Sequence, residues 1–336
     1  MKKYNILILT DNSYHSPFNS MYLIANALYN HEQCNSIYIV SRSNHKNNPF
    51  FDETVGTVYG CYQNRLIYFN DSFFSEPTEK KEIIDFDVII LRIPRPISDS
   101  FLDFLRVSHP NCIFINDPIG IKESSNKLFL LQIPDLCPPI KHCQNKKDIY
   151  DFSSRFPIVL KPLRSYGGKG IVKIHDKRVY NGNHSMPLDL FLEENQNELT
   201  KNGYLAMKYL HNVSKGDKRI IVANGTILAS SLRMPAKNSW ICNVAQGGTS
   251  QKTTITEEEY QIIEILNPKL IKKGIVLYGL DTLVNDEGKR VVSEINTLSV
   301  GGLAPAKIES DPLIDLKLAS IFMDYIHNQY EQRNNN

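Results

Sequence analysis

The sequence has little of what marks a zinc protein, a nucleic-acid-binding protein or a membrane protein. Its six cysteines are scattered, with no C-x-x-C pair and no zinc-binding spacing, which indicates reduced thiols in a cytosolic protein rather than a disulfide framework. The formal net charge is only +2 and no basic run is present, so nothing in the composition favours nucleic acid as a partner. No apolar run approaches the roughly 20 residues that a membrane-spanning helix needs.

The composition is that of an ordinary globular protein. Of the 336 residues, 42% are hydrophobic and 22% are charged, and the length predicts two or three packed domains. The first third alternates β-branched apolar runs with amphipathic segments, a pattern typical of a parallel sheet covered by helices. We expect strands at 5–9, 36–40, 87–92 and 112–116 and helices at 20–30 and 98–108. Residues 41–81 have no clear period and indicate neither helix nor strand.

From about residue 157 the pattern changes. Two apolar runs flank an Asn-Gly pair within residues 219–232, which is a strong hairpin signal. Thr256 and Glu259 have the spacing of a capping box, which predicts a helix over residues 256–273, and Pro268 is expected to kink or split it. These features indicate an antiparallel sheet with helices, so the chain is predicted to be α/β followed by α+β.

A basic, glycine-rich loop lies between two predicted strands. Residues 159–174, VLKPLRSYGGKGIVKI, place Lys161, Arg164 and Lys169 around three glycines. Three cations beside a flexible backbone favour a polyanionic ligand. The loop is neither a P-loop nor a dinucleotide-binding fingerprint, because those motifs open a helix and here a β-branched run follows. The alternative is an ordinary hairpin with a glycine-rich turn.

A second hairpin, predicted over residues 274–296, carries three oxygen-bearing side chains. If residues 285–288 form a four-residue loop, the residues that flank the loop pair with each other, and Asp281, Glu294 and Asn296 share one face. Oxygen ligands of this kind suit Mg²⁺, which usually keeps substrate phosphates in its coordination shell. The alternative is a solvated polar face, and a loop of odd length would scatter the three side chains.

Together, the basic glycine loop and the acidic hairpin are the two halves expected of an ATP site. Residues 207–219, between them, stand where contacts to the adenine edge and further phosphate contacts are expected. The segment reads as a strand and a loop, followed by Lys215, Asp217, Lys218 and Arg219.

In this order, over nearly the whole chain, the motifs resemble those of the ATP-grasp ligases, and most of all those of bacterial glutathione synthetases. The matching segments read LRIPRP, NDPIGIKESSNKLF, VLKPLRSYGGKGI, KGDKR, SLRMP, GLDTL and SEIN. The resemblance implies an N-terminal parallel-sheet, Rossmann-like pre-ATP-grasp domain followed by a two-subdomain ATP-grasp fold. The expected bounds are 1–122 for the first domain, 123–200 for the central or lid subdomain and 201–330 for the C-terminal subdomain.

The resemblance also implies a role for each matching residue. ATP binding falls to Lys127, Lys161, Ser165, Tyr166, Gly167, Gly168, Lys208, Tyr209, Leu210 and Asp217. Substrate binding falls to Arg92, Arg219, Arg233, Ser299 and Gly301, and catalysis to Arg219, Arg233 and Lys161. The ligands of Mg²⁺, or of Mn²⁺ in its place, are Asp281, Glu294 and Asn296.

The reaction that the resemblance implies joins a carboxylate to an amine. ATP phosphorylates the carboxylate, and the amine attacks the acyl phosphate to give an amide, ADP and phosphate. The substrates implied are γ-glutamylcysteine and glycine, in a cytoplasmic homo-oligomer with neither nucleic acid nor membrane as a partner. Two alternatives stay open: the same chemistry on other amino acids or peptides, and a non-catalytic ATP-binding module as in synapsins.

Two segments depart from the family's pattern. Ile241 stands where the family has an arginine, next to the sequence's one tryptophan, Trp240, which by itself would be expected in a core. TLSVGGLAPA also replaces the usual segment after the metal ligands. We expect residues 236–248 and 297–304 to form the acceptor pocket, so these departures concern the substrate and leave the ATP chemistry intact.

Overall fold

Three sheets follow one another along the part of the chain that the structure describes. The structure is a computed structural model that describes residues 2–165, 168–182, 184–236, 240, 242, 247–309 and 311–334. Its strands are β1 (Tyr4–Thr10), β2 (Cys34–Ser41), β3 (Thr57–Tyr62), β4 (Glu79–Glu82), β5 (Val88–Leu91), β6 (Ile113–Ile115), β7 (Ile140–Cys143), β8 (Ile158–Pro162), β9 (Val172–His175), β10 (Arg178–Asn181), β11 (His184–Pro187), β12 (Tyr204–Lys208), β13 (Asp217–Ala223), β14 (Thr226–Met234), β15 (Thr249–Lys252), β16 (Leu277–Val284) and β17 (Arg290–Asn296). Its helices are α1 (Ser20–Tyr29), α2 (Asn48–Phe51), α3 (Asp99–Ser108), α4 (Pro118–Ser124), α5 (Lys146–Ser153), α6 (Leu188–Glu194), α7 (Gln196–Lys201), α8 (Glu257–Ile271), α9 (Leu303–Glu309) and α10 (Ile314–Asn334).

The first sheet has the order β4-β3-β2-β1-β5-β6. Its four strands β2, β1, β5 and β6 pair in parallel, because their apolar runs are buried on both faces and helices connect them. β3 and β4 add two antiparallel strands from the region that has no clear sequence period. No helix in the described part of the chain is both long and apolar enough to cross a bilayer.

The second and third sheets are antiparallel. The second has the order β11-β10-β9-β8-β12-β7, and the glycine loop joins its strands β8 and β9, as predicted. The third has the order β15-β14-β13-β16-β17. Its β13–β14 hairpin turns at Asn224 and Gly225, whose φ angles of 46° and 82° are those that an Asn-Gly turn supplies at low cost.

Helix α8 begins as the sequence predicts and is not split at Pro268. Thr256 and Glu259 form the capping box. Pro268 lies near the C-terminal end, where losing one backbone hydrogen bond costs little against the burial of Leu266 and Leu270 on either side of it. Gly274 follows the helix with a φ of +69°, the left-handed conformation expected at a helix C-terminus.

The buried side-chain amide of Asn116 links the first sheet to the third by hydrogen bonds. Asn116 follows β6, and its Nδ2 donates to the carbonyl oxygens of Leu277 and Thr297 at 2.6 and 2.7 Å. Its Oδ1 accepts from the backbone N–H groups of Val276 and Leu277, both at 2.8 Å. Four hydrogen bonds from one side chain place the start of β16 and the end of β17 against the first sheet.

Candidate active site

A cleft lies between the second and third sheets. One part of its wall is apolar, and the other part carries lysine, arginine and carboxylate side chains. The apolar part consists of Val159, Ile171, Met207, Tyr209, Leu210, Val213, Trp240, Cys242 and Leu283. The ionic part consists of Lys161, Lys208, Asp217, Arg219, Arg233, Asp281 and Glu294, and the neutral amide of Asn296 also lines the cleft.

Asp281 and Glu294 lie side by side on the hairpin, as predicted, but the pairing of the two strands differs from the predicted one. The loop between β16 and β17 has five residues, because Val284 pairs with Arg290. A five-residue loop alone would place Ser293 opposite Asp281 and turn Glu294 to the other face. The register instead shifts between Asp281 and Thr282, which leaves Ser293 as the extra residue of a β-bulge. Asp281 therefore pairs with Glu294, and the predicted pairing across a four-residue loop is wrong.

Two arginines neutralise the carboxylate of Asp281. Arg219 binds it through Nε and through Nη2, the latter at 2.8 Å, and Arg233 Nη2 lies 3.0 Å from the same Oδ2. Arg233 also donates two hydrogen bonds of 2.7 Å to Asp217. Burial would raise the pKa of Asp281, but the charges of both arginines outweigh it and lower that pKa to about 2. Burial, followed by the charge of Asp281, raises the pKa of Asp217 to about 6.

Two buried lysines lie beside this carboxylate group. Lys161, on β8, donates from Nζ to the backbone carbonyl of Ser293 at 3.0 Å, so the bulge supplies its acceptor. Lys127 opens a short 3₁₀ helix, donates to the carbonyl of Ser165 and lies 3.8 Å from Glu294 Oε1. Burial is the main cause that lowers the pKa of both lysines.

A second chamber opens from the ionic end of the cleft, and the two share Arg219, Glu294 and Asn296. The residues that line only the second chamber are Pro94, Arg95, Ser125, Lys127, Ser165, Ile295, Thr297, Leu298, Ser299, Val300 and Gly301. The predicted substrate residues Ser299 and Gly301 are therefore in its wall. Arg92 is not: it is buried, and its Nη2 donates to the carbonyl of Val300 at 2.9 Å.

The other residues predicted to contact ATP do not all lie in the cleft. Gly168 and Leu210 line the cleft, and Lys208 does so while paired with Asp286 at 2.8 Å. Lys218 points away from the cleft, because alternate residues of β13 face opposite sides, and its Nζ binds the buried Glu259 at 2.6 Å. The expected phosphate contact of Lys218 is therefore wrong. Tyr166, Gly167 and Ile241 lie outside the described residues.

Two aromatic side chains, Tyr209 and Trp240, line the apolar part of the cleft. Trp240 lines the cleft and packs edge-to-face on Tyr209 with ring centroids 6.0 Å apart, so its expected place in a core is wrong. Lys173 Nζ lies 3.7 Å from the centre of the Tyr209 ring. Cys242, also in this wall, is a free thiol whose pKa burial raises to about 11, so it is a packing residue and not a nucleophile.

The chain resembles one family throughout its second and third sheets. The family model of the prokaryotic glutathione synthetase ATP-grasp domain matches residues 126–310. A glutathione synthetase of Agrobacterium fabrum is 30% identical over 237 residues, which are 69% of this chain and 70% of that protein. One of Mesorhizobium japonicum is 29% identical over 251 residues, 74% of this chain and 75% of that protein.

Solved structures extend the likeness to almost the whole chain. A D-cycloserine synthetase superposes with a TM-score of 0.65 at 12% identity, over 96% of this chain and 99% of that one. A D-alanyl-alanine synthetase A from Vibrio cholerae superposes with a TM-score of 0.61 at 14% identity, over 98% and 99%. At such identities the likeness shows a shared fold and nothing further.

Proposed function

Because the chain belongs to the family of prokaryotic glutathione synthetases, we propose that it is an ATP-dependent ligase that joins γ-glutamylcysteine to glycine. The observation that carries the proposal is the pair of connected cavities, one partly apolar and partly ionic, the other polar, which meet at Arg219, Glu294 and Asn296. A nucleotide needs an apolar wall for its base and cations for its phosphates, and a second substrate must reach the terminal phosphate from the other side.

The base lies between the apolar side chains of β8, β12 and the segment of Tyr209 and Leu210, with Trp240 as a further wall. The phosphates extend toward Lys127 and Lys161, whose lowered pKa values reflect burial that an anionic ligand would offset. The glycine loop between β8 and β9 covers them and excludes water, which would hydrolyse an acyl phosphate.

The oxygen atoms present fit a magnesium ion. Asp281 and Glu294 are direct partners on the neighbouring strands β16 and β17. Asn296 lies on the same face, with its Nδ2 3.4 Å from Asp281 Oδ2. Two carboxylates and an amide are a partial set, as expected for an ion that completes its shell with phosphate and water oxygens. No cluster of three or more His, Cys, Asp or Glu side chains suited to a metal occurs among the residues that the structure describes. When bound, the ion would neutralise charge on the phosphates.

The chain's own residues perform positioning and charge stabilisation. Arg219 and Arg233 lie on the Asp281 carboxylate, next to the junction of the cavities, and are placed to stabilise the acyl phosphate or to bind substrate carboxylates once phosphates compete for them. Lys161 stabilises negative charge on the transferred phosphoryl group. No side chain is needed as a covalent nucleophile.

The remaining expectations become part of this proposal. The first sheet with its helices, residues 1–122, forms the Rossmann-like pre-ATP-grasp domain. Residues 123–200 and 201–330 form the two ATP-grasp subdomains, with β12 (Tyr204–Lys208) completing the sheet of the earlier one. The protein works in the cytoplasm as a homo-oligomer.

Release of ADP tests the reaction. With Mg²⁺, ATP, γ-glutamylcysteine and glycine, we expect ADP and a product heavier than the dipeptide by one glycine residue, and no ADP when either substrate is left out. A panel of other dipeptides and amino acids separates the alternatives. Turnover only with another pair would correct the substrates, and nucleotide binding without turnover on any pair would point to a non-catalytic module.

A further inference from the structure

A groove runs along the outer edge of the first sheet, where β6 is the last strand, and reaches the C-terminal end of α8. Among the residues that the structure describes, none lines both this groove and either cavity of the candidate active site. Its cations come from α3 and α10, beside β6, and from the end of α8. They are Arg106, Arg333, Lys269, Lys272 and Lys273. The proposed ligase reaction gives these residues no role.

The two carboxylates that line the groove are already engaged. Asp117 caps α4, because its Oδ1 accepts from two backbone N–H groups of that helix at 2.9 and 3.3 Å. Its Oδ2 lies 3.9 Å from Arg106 Nε, which is long for an ion pair. Glu123 pairs with Lys273. The groove therefore has more positive charge than its own carboxylates neutralise.

The two arginines converge on one carbonyl oxygen. Arg106 Nη1 and Arg333 Nη2 both donate to the carbonyl of Cys112, each at 3.2 Å. The guanidinium of Arg106 also lies over the ring of Phe114, 5.7 Å from its centre. Partial burial lowers the pKa of Arg333, and the charge of Arg106 lowers it further, because the two cations repel each other. An anion bound beside them would relieve this repulsion.

Lysines at the end of α8 supply the rest of the positive charge. Lys269 and Lys272 are exposed, and neither forms an ion pair with any residue in the described part of the chain. The helix macrodipole favours lysines at this end, but a helix C-terminus carries only about half a negative charge. That partial charge is too small to neutralise three lysines and two arginines.

We propose that this groove binds a small polyanion, with two or more phosphate or carboxylate groups, between the arginines beside β6 and the lysines that end α8. One anionic group would lie at Arg106 and Arg333, since guanidinium groups match paired oxygen atoms, and another at Lys269 and Lys272. The ligand would link the first sheet to α8, which packs on the third sheet. This binding does not depend on the proposed ligase reaction.

Calorimetric titration with pyrophosphate and with citrate tests the proposal. The active site is first saturated with Mg²⁺ and a non-hydrolysable ATP analogue, so that neither probe can bind there, and sodium chloride of equal ionic strength is the reference. We expect saturable binding of at least one probe, at one molecule per chain. Binding of pyrophosphate alone would identify a phosphate ligand, and binding of citrate alone a carboxylate ligand.

Two variants remove the two sides of the groove. Lys269→Gln/Lys272→Gln and Arg106→Gln should each weaken the binding by about 10-fold or more, because charge-assisted contacts are lost. The bound probe should also raise the midpoint of thermal unfolding of the wild type, and less so that of either variant. The replaced lysines are exposed, so the lysine variant should fold and bind the ATP analogue as the wild type does.

The matched controls are Arg155→Gln and Lys146→Gln/Lys147→Gln. The guanidinium of Arg155 also lies over an aromatic ring, 4.9 Å from the centre of Phe152, and the control lysines open α5, but all three lie outside the groove. Both controls should bind the probes as the wild type does. Absence of saturable binding, unchanged affinity in the lysine variant, or an equal loss in the lysine control would refute the anion site.

Discussion

Asp281 is the direct cross-strand partner of Glu294, although the loop between their strands has an odd number of residues. The bulge at Ser293 makes this possible, and its backbone is held from two sides. Lys161 binds the Ser293 carbonyl, and Ser293 Oγ donates to the carbonyl of Asp281 at 3.1 Å. The carboxylates that we assign to magnesium and the lysine that we assign to phosphate therefore depend on one local irregularity of the sheet.

Replacing Glu294 by Gln should abolish turnover and leave the fold intact. The variant keeps the shape of the side chain and removes one anionic ligand, which weakens the hold on magnesium and the bridging of phosphates. We expect kcat to fall by about 100-fold or more, with an unchanged circular dichroism spectrum. Glu287→Gln, at the exposed turn of the same hairpin, is the control and should keep full activity. Near-normal ADP production by Glu294→Gln would refute the metal assignment.

Replacing the two buried lysines Lys218 and Lys161 should affect different properties, stability in the first case and ATP affinity in the second. Lys218 is 3% exposed and pairs with the fully buried Glu259, behind the cleft. Lys218→Met leaves that carboxylate without its main partner, which should cost about 3–5 kcal/mol of unfolding free energy while the affinity for ATP stays unchanged. Lys161→Met should instead weaken ATP binding by about 10-fold or more, since it removes a cation from the phosphate end.

The measurements are thermal unfolding and nucleotide titration on both variants. The double variant Lys218→Met/Glu259→Leu should recover part of the lost stability, because an apolar pair can replace a buried ion pair. Equal losses of ATP affinity in Lys218→Met and Lys161→Met would show that Lys218 has a role in the nucleotide site after all.

Local sequence signals predict local structure well in this chain. The capping box of Thr256 and Glu259 and the Asn-Gly turn of β13–β14 depend only on residues near one another, and both are present as expected. Features set by distant partners could not be predicted. β4, Glu-Lys-Lys-Glu, has no apolar alternation and is a strand because β3 pairs with it.

The site follows the same rule. Asp281 comes to lie opposite Glu294 only because of the bulge at Ser293. The partners that hold the bulge come from other strands. Likewise, LRIPRP contains two arginines. Arg92 is the one that packs inward, because it donates a hydrogen bond to the carbonyl of Val300, far along the chain. The substrate role was predicted for Arg92, whereas the arginine of this motif that lines the second chamber is Arg95.

Replacing Asn116 by Ala should loosen the first sheet from the third. The substitution leaves two buried carbonyls and two buried N–H groups, those of Val276, Leu277 and Thr297, without their partner. We expect a loss of about 3 kcal/mol or more in unfolding free energy, measured by denaturant titration. Asn35→Ala, which removes one exposed hydrogen bond to Asn5, is the control and should cost less than about 1 kcal/mol. Equal costs for the two variants would contradict the fastening role of Asn116.

His15 should give the fold a measurable dependence on pH. Its ring is bonded on both sides, with Nε2 2.8 Å from Thr10 Oγ1 and Nδ1 2.9 Å from the Tyr22 hydroxyl. Burial lowers the pKa of His15 to about 4, and the charge of Arg92 adds to this while Asp11 opposes it. The folded protein thus keeps this histidine neutral under conditions where an ordinary histidine is protonated.

Between about pH 6.5 and pH 4 the unfolded chain takes up a proton at His15 that the folded protein does not, so stability should fall as the pH falls through this window. Because the ring is partly exposed, we expect a slope of about 0.5–1 kcal/mol per pH unit from this group, below the full single-proton value. His15→Gln should lose that part of the slope, measured as unfolding free energy at several pH values. His184→Gln, at an exposed position, should keep the wild-type slope. The same slope in His15→Gln and wild type would show that His15 is protonated in the folded protein as readily as in the unfolded chain.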